Sequence, residues 1–282
     1  MKTIMTYTLA LLMTATVAMG QDSGEIEIPF STPSAPGKIK IDIKKGSITV
    51  KGTDRKDVLV RYSPMKRKNS DHAHEHDHDC DNCDDKQRNT NGLRKIPAAT
   101  LDLEISERDN YIEIESDSWN KGLDLIVEVP KSLKGLHVET YNSGDIEVSN
   151  VSGEINLDNY NGKISATSIS GSLVAETYNG SITATFDEIT PDVPMAFSTY
   201  NGHVDLTLPD NFKASLKMKT KQGEVYSAFD FILKKTDPVR KTDSKSGTYK
   251  VYLDDWVRGD VNGGGPEFMI KNYNGNIYLR KK

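Results

Sequence analysis

From Tyr141 onward the chain repeats one pattern of apolar and polar positions. Gly144, Gly153, Gly162, Gly171 and Gly180 follow one another at nine-residue intervals, and related copies lie at Gly46, Gly202, Gly223 and Gly275. Two residues after each glycine stands a branched aliphatic: Ile48, Ile146, Ile155, Ile164, Leu173, Ile182, Val204, Val225 and Ile277. Four residues after it the side chain is usually apolar again, as at Val50, Val148, Leu157, Ala166, Ala175, Ala184, Leu206 and Leu279. The positions between are mostly polar. Alternation with period two marks a half-buried strand. The preceding Asn or Ser and the glycine suit a tight corner with positive φ.

One nine-residue unit cannot bury its own apolar face, so the units must stack. The units alternate in kind. Tyr160, Tyr178 or Tyr200 precedes the turn in some, and Val151 or Ile169 takes that place in others. That alternation predicts a coil of about 18 residues with two strands, and the small Ala166, Ala175 and Ala184 would let its inner faces approach closely. Further strands are expected at 25–30, 38–43, 47–50, 58–62, 101–106, 111–115 and 123–129, with longer loops at 234–247 and 258–266. No long amphipathic helix is predicted. The fold class is therefore all-β, a repetitive β-solenoid.

The ends and the composition narrow the setting. Residues 1–20 carry one charge, Lys2, then an apolar run from Ile4 to Ala18, with Ala18 and Gly20 at the −3 and −1 positions of a cleavage site. This reads as a signal peptide, too short for a membrane span. No later segment is apolar enough to span. The mature domain is expected at 21–282, exported to the periplasm, cell surface or medium. A net charge of −5 gives no basic footprint for nucleic acid. Two cysteines cannot build a disulfide scaffold.

The stretch from Val127 to Phe186 carries a Val129-Pro130 strand end followed by units of the form T-x-N-G-x-I around Gly144, Gly162 and Gly180, with a last copy at Asn272–Leu279. In these features the chain resembles the bacterial putative-adhesin domain family, over roughly residues 39–282. The resemblance implies a right-handed β-helix-like solenoid, exported or facing outward, in a bacterium. It brings no catalytic residues.

One segment departs from that pattern, an insertion at 64–99. Within it, residues 71–85 hold His72, His74, His76, His78, Cys80 and Cys83 among seven carboxylates. Imidazole and thiolate are the usual ligands of Zn, Ni and Cu ions. In an extended segment the four histidines share one side, and Cys80-x-x-Cys83 has the spacing of half a zinc site. A metal-binding loop is one reading. A solvated low-complexity segment, or a Cys80–Cys83 disulfide outside the cytoplasm, is the other.

The remaining chemistry is sparse. The turn tyrosines form a possible sugar-binding ladder, although apolar packing is the simpler role for that column. Asn161, Asn179, Asn201 and Asn274 read as turn formers. Asp145, Asp158 and Asp205 are outward candidates for a carboxylate pair acting on polysaccharide, yet charges on a wet strand face serve solubility by default. His137 and His203 are isolated. Arg258-Gly259-Asp260 falls in a predicted loop. The functional expectation is a non-catalytic, adhesin-like interaction scaffold of the envelope, needing no cofactor and partnered by an envelope protein or a glycan. An envelope metal-binding protein is the first alternative, and a polysaccharide-active β-helix enzyme the second.

Overall fold

The computed structural model describes residues 23–65, 102–234, 239–243, 248–252 and 256–282. The expected signal peptide, and the segment bearing His72, His74, His76, His78, Cys80 and Cys83, lie outside the described residues. Among the described residues there are strands and turns but no helix.

The strands run in chain order as follows. The N-terminal set is β1 (Gly24–Pro29), β2 (Lys38–Lys45), β3 (Ile48–Thr53), β4 (Asp57–Pro64), β5 (Glu104–Arg108), β6 (Tyr111–Ser116) and β7 (Leu123–Pro130). The central set is β8 (Ser132–Asn142), β9 (Ile146–Ser149), β10 (Ser152–Asn159), β11 (Ile164–Asn179), β12 (Ile182–Ile189), β13 (Met195–Asn201) and β14 (Val204–Leu208). The C-terminal set is β15 (Ala214–Lys219), β16 (Val225–Ser227), β17 (Phe231–Leu233), β18 (Val239–Asp243), β19 (Thr248–Tyr252), β20 (Val257–Val261), β21 (Glu267–Asn274) and β22 (Ile277–Lys281).

Each Gly corner joins a strand on one face to a strand on the other. The first face runs β6, β2, β8, β10, the second half of β11, β13, β21 and β15, all parallel. The second face runs β7, β3, β9, the first half of β11, β12, β14, β22 and β16, also parallel. Because β11 passes through both faces, every strand but the β18–β19 hairpin joins one continuous sheet. In the middle of the stack the register offset is 18 residues, as in Ile146↔Ile164 and Ile164↔Ile182. It grows to 22 at Ile182↔Val204, where a longer connection precedes β13.

The beat of branched residues becomes the core. Ile48, Ile146, Ile155, Ile164, Leu173, Ile182, Val204 and Ile277 are all buried, while Val225, on the last coil, is only partly covered. Ala166, Ala175 and Ala184 are buried where the inner faces meet. Phe186, Phe197 and Phe268 fill the wider part of the core beyond them.

The coils do not stack in chain order. The β2–β3 coil sits between β6–β7 and β8–β9, and the final β21–β22 coil inserts between β13–β14 and β15–β16. Beyond the outermost parallel strands the pairing turns antiparallel: β5 on β6, β4 on β7, β1 on β4, and β20 on β15 followed by β17. Antiparallel cover of this kind blunts the open edges that would otherwise template further pairing. Two expected loops are shortened, one by a separate β18–β19 hairpin and the other by the antiparallel cover. β18 lies within 234–247, and Arg258-Gly259-Asp260 lies in β20 rather than in a loop. The Asp260 carboxylate there meets Lys234 Nζ at 2.7 Å and Ser215 Oγ at 2.8 Å.

Candidate binding groove

The corner Thr/Asn-Tyr-Asn-Gly, with Ser143 inserted in its first copy, gives each side chain a separate job. The first residue points inward and donates to the glycine carbonyl of the neighbouring coil. Thr140 reaches Gly46 O at 2.9 Å, Asn159 reaches Gly144 O at 2.9 Å, Thr177 reaches Gly162 O at 2.9 Å and Thr199 reaches Gly180 O at 2.7 Å. Asn272 repeats the bond to Gly202 O at 2.8 Å. These residues are buried, so the bonds satisfy carbonyls that water cannot reach.

The second residue is the tyrosine, and it forms a continuous stack. Tyr141, Tyr160, Tyr178, Tyr200 and Tyr273 lie ring on ring at 4.7, 5.2, 4.9 and 4.6 Å, with planes within 10° of parallel. Trp119 closes one end edge-on to Tyr141 at 5.2 Å. The rings stay about 40% exposed. Val151 and Ile169, which share the tyrosines' place in the sequence repeat, are buried at the opposite corner. The two corners of the coil are thus chemically different, and the tyrosine column is an outer wall rather than a core position.

The third residue extends a second ladder. Asn161 donates to Asn142 Oδ1 at 3.1 Å, Asn179 to Asn161 at 2.8 Å, Asn201 to Asn179 at 2.7 Å and Asn274 to Asn201 at 2.7 Å. The asparagines are therefore turn residues that also bind one another from coil to coil. The glycine fits because nothing else can. A Cβ on Gly162 would lie 1.9 Å from Gly144 O. Gly162 does not have positive φ, although Gly46, Gly202 and Gly275 do. Close coil approach, not backbone handedness, excludes a side chain at Gly162.

Beside the tyrosine wall runs a groove of about 620 Å³, lined among others by Glu139, Asp158, Glu176, Ser198 and Lys271. Register places those five side by side on the outer side of the first face. The same row continues through Asp42 and Glu115 in the other direction, so five carboxylates stand on adjacent strands. Two of them have lysine partners. Lys40 Nζ holds Glu115 at 2.7 Å and Glu113 at 2.9 Å, and Lys44 holds Asp42 at 3.0 Å. Those hydrogen bonds push both lysines above their ordinary range. Glu139 and Asp158 lie beside His137, whose ring nitrogens are 3.7 and 3.8 Å away, and the Lys44 charge also reaches Glu139. Burial pushes the Asp158 carboxyl up; His137 opposes this and the charges of Glu139 and Glu176 add to it.

The other sequence candidates are scattered. Asp158 is on the first face, Asp205 on the second, and Asp145 in the corner between β8 and β9, where it accepts from Lys163 N at 2.8 Å. Asp205 is clamped by Arg280 at 2.8 Å. The three do not form a carboxylate pair about one bond. His137 contacts Asn156 Nδ2 at 2.9 Å and His203 contacts Ser181 Oγ at 2.9 Å, so each is engaged with its own neighbours. Among the described residues no group of three His, Cys, Asp or Glu side chains is placed to hold a metal ion. No helix there is long and apolar enough to cross a membrane. The acidic row was hidden in the sequence because its members are 15 to 20 residues apart or more, and only register aligns them.

Comparison with known proteins agrees with the repeat reading. No curated protein matches the chain. Two solved structures are similar at a distance. One is a putative cell adhesion protein from Clostridium sporogenes, at 11% identity and TM-score 0.47, covering 92% of this chain and 100% of that one. The other is a putative adhesin from Bacteroides fragilis, at 10% identity and TM-score 0.42, covering 92% of this chain and 98% of that one. Likenesses this remote carry no argument about function. The family model Toastrack DUF4097 matches residues 132–262, the stretch that holds the central coils and most of the tyrosine wall. Over that stretch the chain is similar to the Toastrack DUF4097 family, and the match supports the putative-adhesin domain family of unknown function that the repeats resemble.

Proposed function

We propose that the protein is an exported bacterial envelope scaffold that binds a partner through its outer solenoid surface and performs no catalysis. The coils are wound right-handed in this proposal, as in β-helices. One observation carries it: the corner residues are spent on coil-to-coil ladders, which leave a rigid, solvent-facing wall of five stacked tyrosines beside a groove. Rigid elements present a binding surface at little ordering cost on association. The separation of Asp145, Asp158 and Asp205 removes the motive for the polysaccharide-active alternative. Surface biotinylation of intact cells, followed by capture of envelope fractions on the purified chain, tests the scaffold. Protection from the label together with no captured partner counts against it.

The metal-binding reading keeps one structural support. The segment with His72, His74, His76, His78, Cys80 and Cys83 joins β4 to β5, and both strands cap the same end of the stack. It therefore interrupts none of the ladders. In this second reading the segment takes up Zn, Ni or Cu ions and the solenoid carries it. Calorimetry with Zn or Ni salts on untagged protein, against a chain lacking 71–85, decides it. Equal binding by both chains overturns the reading.

A further inference from the structure

The tyrosine wall sets five phenols at fixed short distances from one another. Neighbouring rings from Tyr141 to Tyr273 have centroids 4.6 to 5.2 Å apart and planes 3 to 10° from parallel. Each ring is 38 to 43% exposed, so solvent reaches every one of them. Backbone pairing holds this arrangement. Thr140 pairs with Asn159, Asn159 with Thr177, Thr177 with Thr199, and Thr199 with Asn272, each one residue before its tyrosine. No ring can drift from its neighbour while those ladders last.

Phenols have a chemistry that depends on such proximity. A phenol gives up one electron together with its hydroxyl proton. The resulting radical carries much of its unpaired electron on the ring carbons beside the C–O carbon. Two tyrosyl radicals couple when those carbons meet. Between separate chains the meeting is a diffusive encounter. In the wall the partner ring is already in van der Waals range, and coupling becomes an intramolecular step.

We propose that the wall is a site of oxidative modification, where neighbouring tyrosines couple into dityrosine and staple successive coils together. The co-reactant is a one-electron oxidant of the ferryl-haem class, which peroxidases form from hydrogen peroxide. Each of two neighbouring rings gives one electron to the oxidant and its phenol proton to water. The rings tilt toward each other and one carbon–carbon bond forms between their ortho carbons. Each of those carbons then loses its hydrogen as a proton, the oxygen takes a proton back, and both rings regain aromaticity. The net loss from the two tyrosines is two electrons and two protons, and two equivalents of oxidant are each reduced by one electron. This modification does not depend on what the outer surface binds.

The test treats the full chain with a peroxidase and limiting hydrogen peroxide, at two protein concentrations about tenfold apart. Mass spectrometry of the digested chain assigns each cross-link as a loss of two hydrogens. Mapping also separates the wall from Tyr226 and Tyr278, a stacked pair on the second face. Dityrosine between adjacent wall tyrosines is expected, in a chain that stays monomeric, with equal yield per chain at both concentrations. The Y160F/Y200F variant keeps every ring but leaves Tyr141, Tyr178 and Tyr273 with no phenol beside them. It should give the parent's circular dichroism and lose the wall cross-links. Tyr178→Phe is the second variant. It should keep the Tyr141–Tyr160 and Tyr200–Tyr273 links and lose the two between them. Three results overturn the proposal: no wall dityrosine in the parent, wall cross-links that join separate chains and rise with concentration, or wall cross-links in Y160F/Y200F at the parent's yield.

Discussion

Tyr160 lies 4.7 Å above Tyr141 with the two rings 3° from parallel, although a full coil of chain separates them. The contact is made by register alone, since β8 and β10 pair Thr140 with Asn159 one residue before. The same offset aligns Asn161 with Asn142 and Asp158 with Glu139. One pairing thus builds an aromatic wall, an amide ladder and an acidic row together.

Removing a ring from the middle of the wall should cost more than removing its hydroxyl. Tyr178 stacks on both Tyr160 and Tyr200. Tyr178→Ala loses both stacks and is expected to destabilise by about 1–3 kcal/mol. Tyr178→Phe keeps both and should remain near the parent. Urea unfolding followed by far-UV circular dichroism measures the difference; equal midpoints for the two variants would show that the stack contributes nothing.

Two glycine substitutions separate crowding from backbone handedness. A Cβ at Gly162 meets the Gly144 carbonyl oxygen at 1.9 Å, whereas a Cβ at Gly263, where φ is 89°, meets nothing within 4 Å. Gly162→Ala must push two coils apart and should cost more than about 2 kcal/mol. Gly263→Ala carries only the positive-φ penalty, about 1–2 kcal/mol. A thermal scan in which Gly263→Ala melts lower than Gly162→Ala contradicts this account.

The inward corner position offers a stabilising change. Asn159 makes the bond to Gly144 O but leaves its own Oδ1 buried without a partner. Thr140, Thr177 and Thr199 make the equivalent bond through a hydroxyl and leave no such atom. Asn159→Thr should therefore raise stability by about 1 kcal/mol. Asn272→Thr, which removes the same defect, should do likewise. A lowered melting temperature for both refutes the orphan-atom argument.

Asp158 makes the stability depend on pH in a defined sense. Its carboxyl is raised above the ordinary value of 3.8, chiefly by burial. Below that value both folded and unfolded chains hold the proton, so nothing is lost. As pH rises through the window up to the raised folded value, the unfolded chain releases its proton first and stability falls. The penalty persists at neutral pH. Asp158→Asn should therefore melt higher than the parent at pH 7, with the gain shrinking below about pH 4. A gain that is constant across pH 3–7 argues that charge is not its source.

The strands were legible because their signal is local. Each glycine, the aliphatic two residues on and the small or apolar residue four residues on lie within one short window, and the structure buries them as that alternation requires. Local signals could not say that Gly162 is needed for approach to Gly144 rather than for its own φ. Nor could they distinguish Tyr160, on an exposed corner, from Val151, on a buried one, because both stand at the same place in a nine-residue repeat. The expected loop around Arg258 became β20 because the end of the stack needed an antiparallel cover. The groove was illegible for a related reason: Glu139, Asp158 and Glu176 look like ordinary solvated charges until neighbouring coils set them side by side.

The sequence by itself determined the strands, the corners, the two-strand coil and the stacking principle. All of these follow from the period of side-chain burial along one coil. Only the tertiary structure decided the order of the coils, with β2–β3 and β21–β22 each inserted between coils that are not their sequence neighbours on both sides. It also decided which outward charges meet. The physical reason is that parallel pairing joins residues about a coil or more apart through backbone hydrogen bonds that carry no side-chain signature. The composition of a single repeat cannot encode which copy will lie above it.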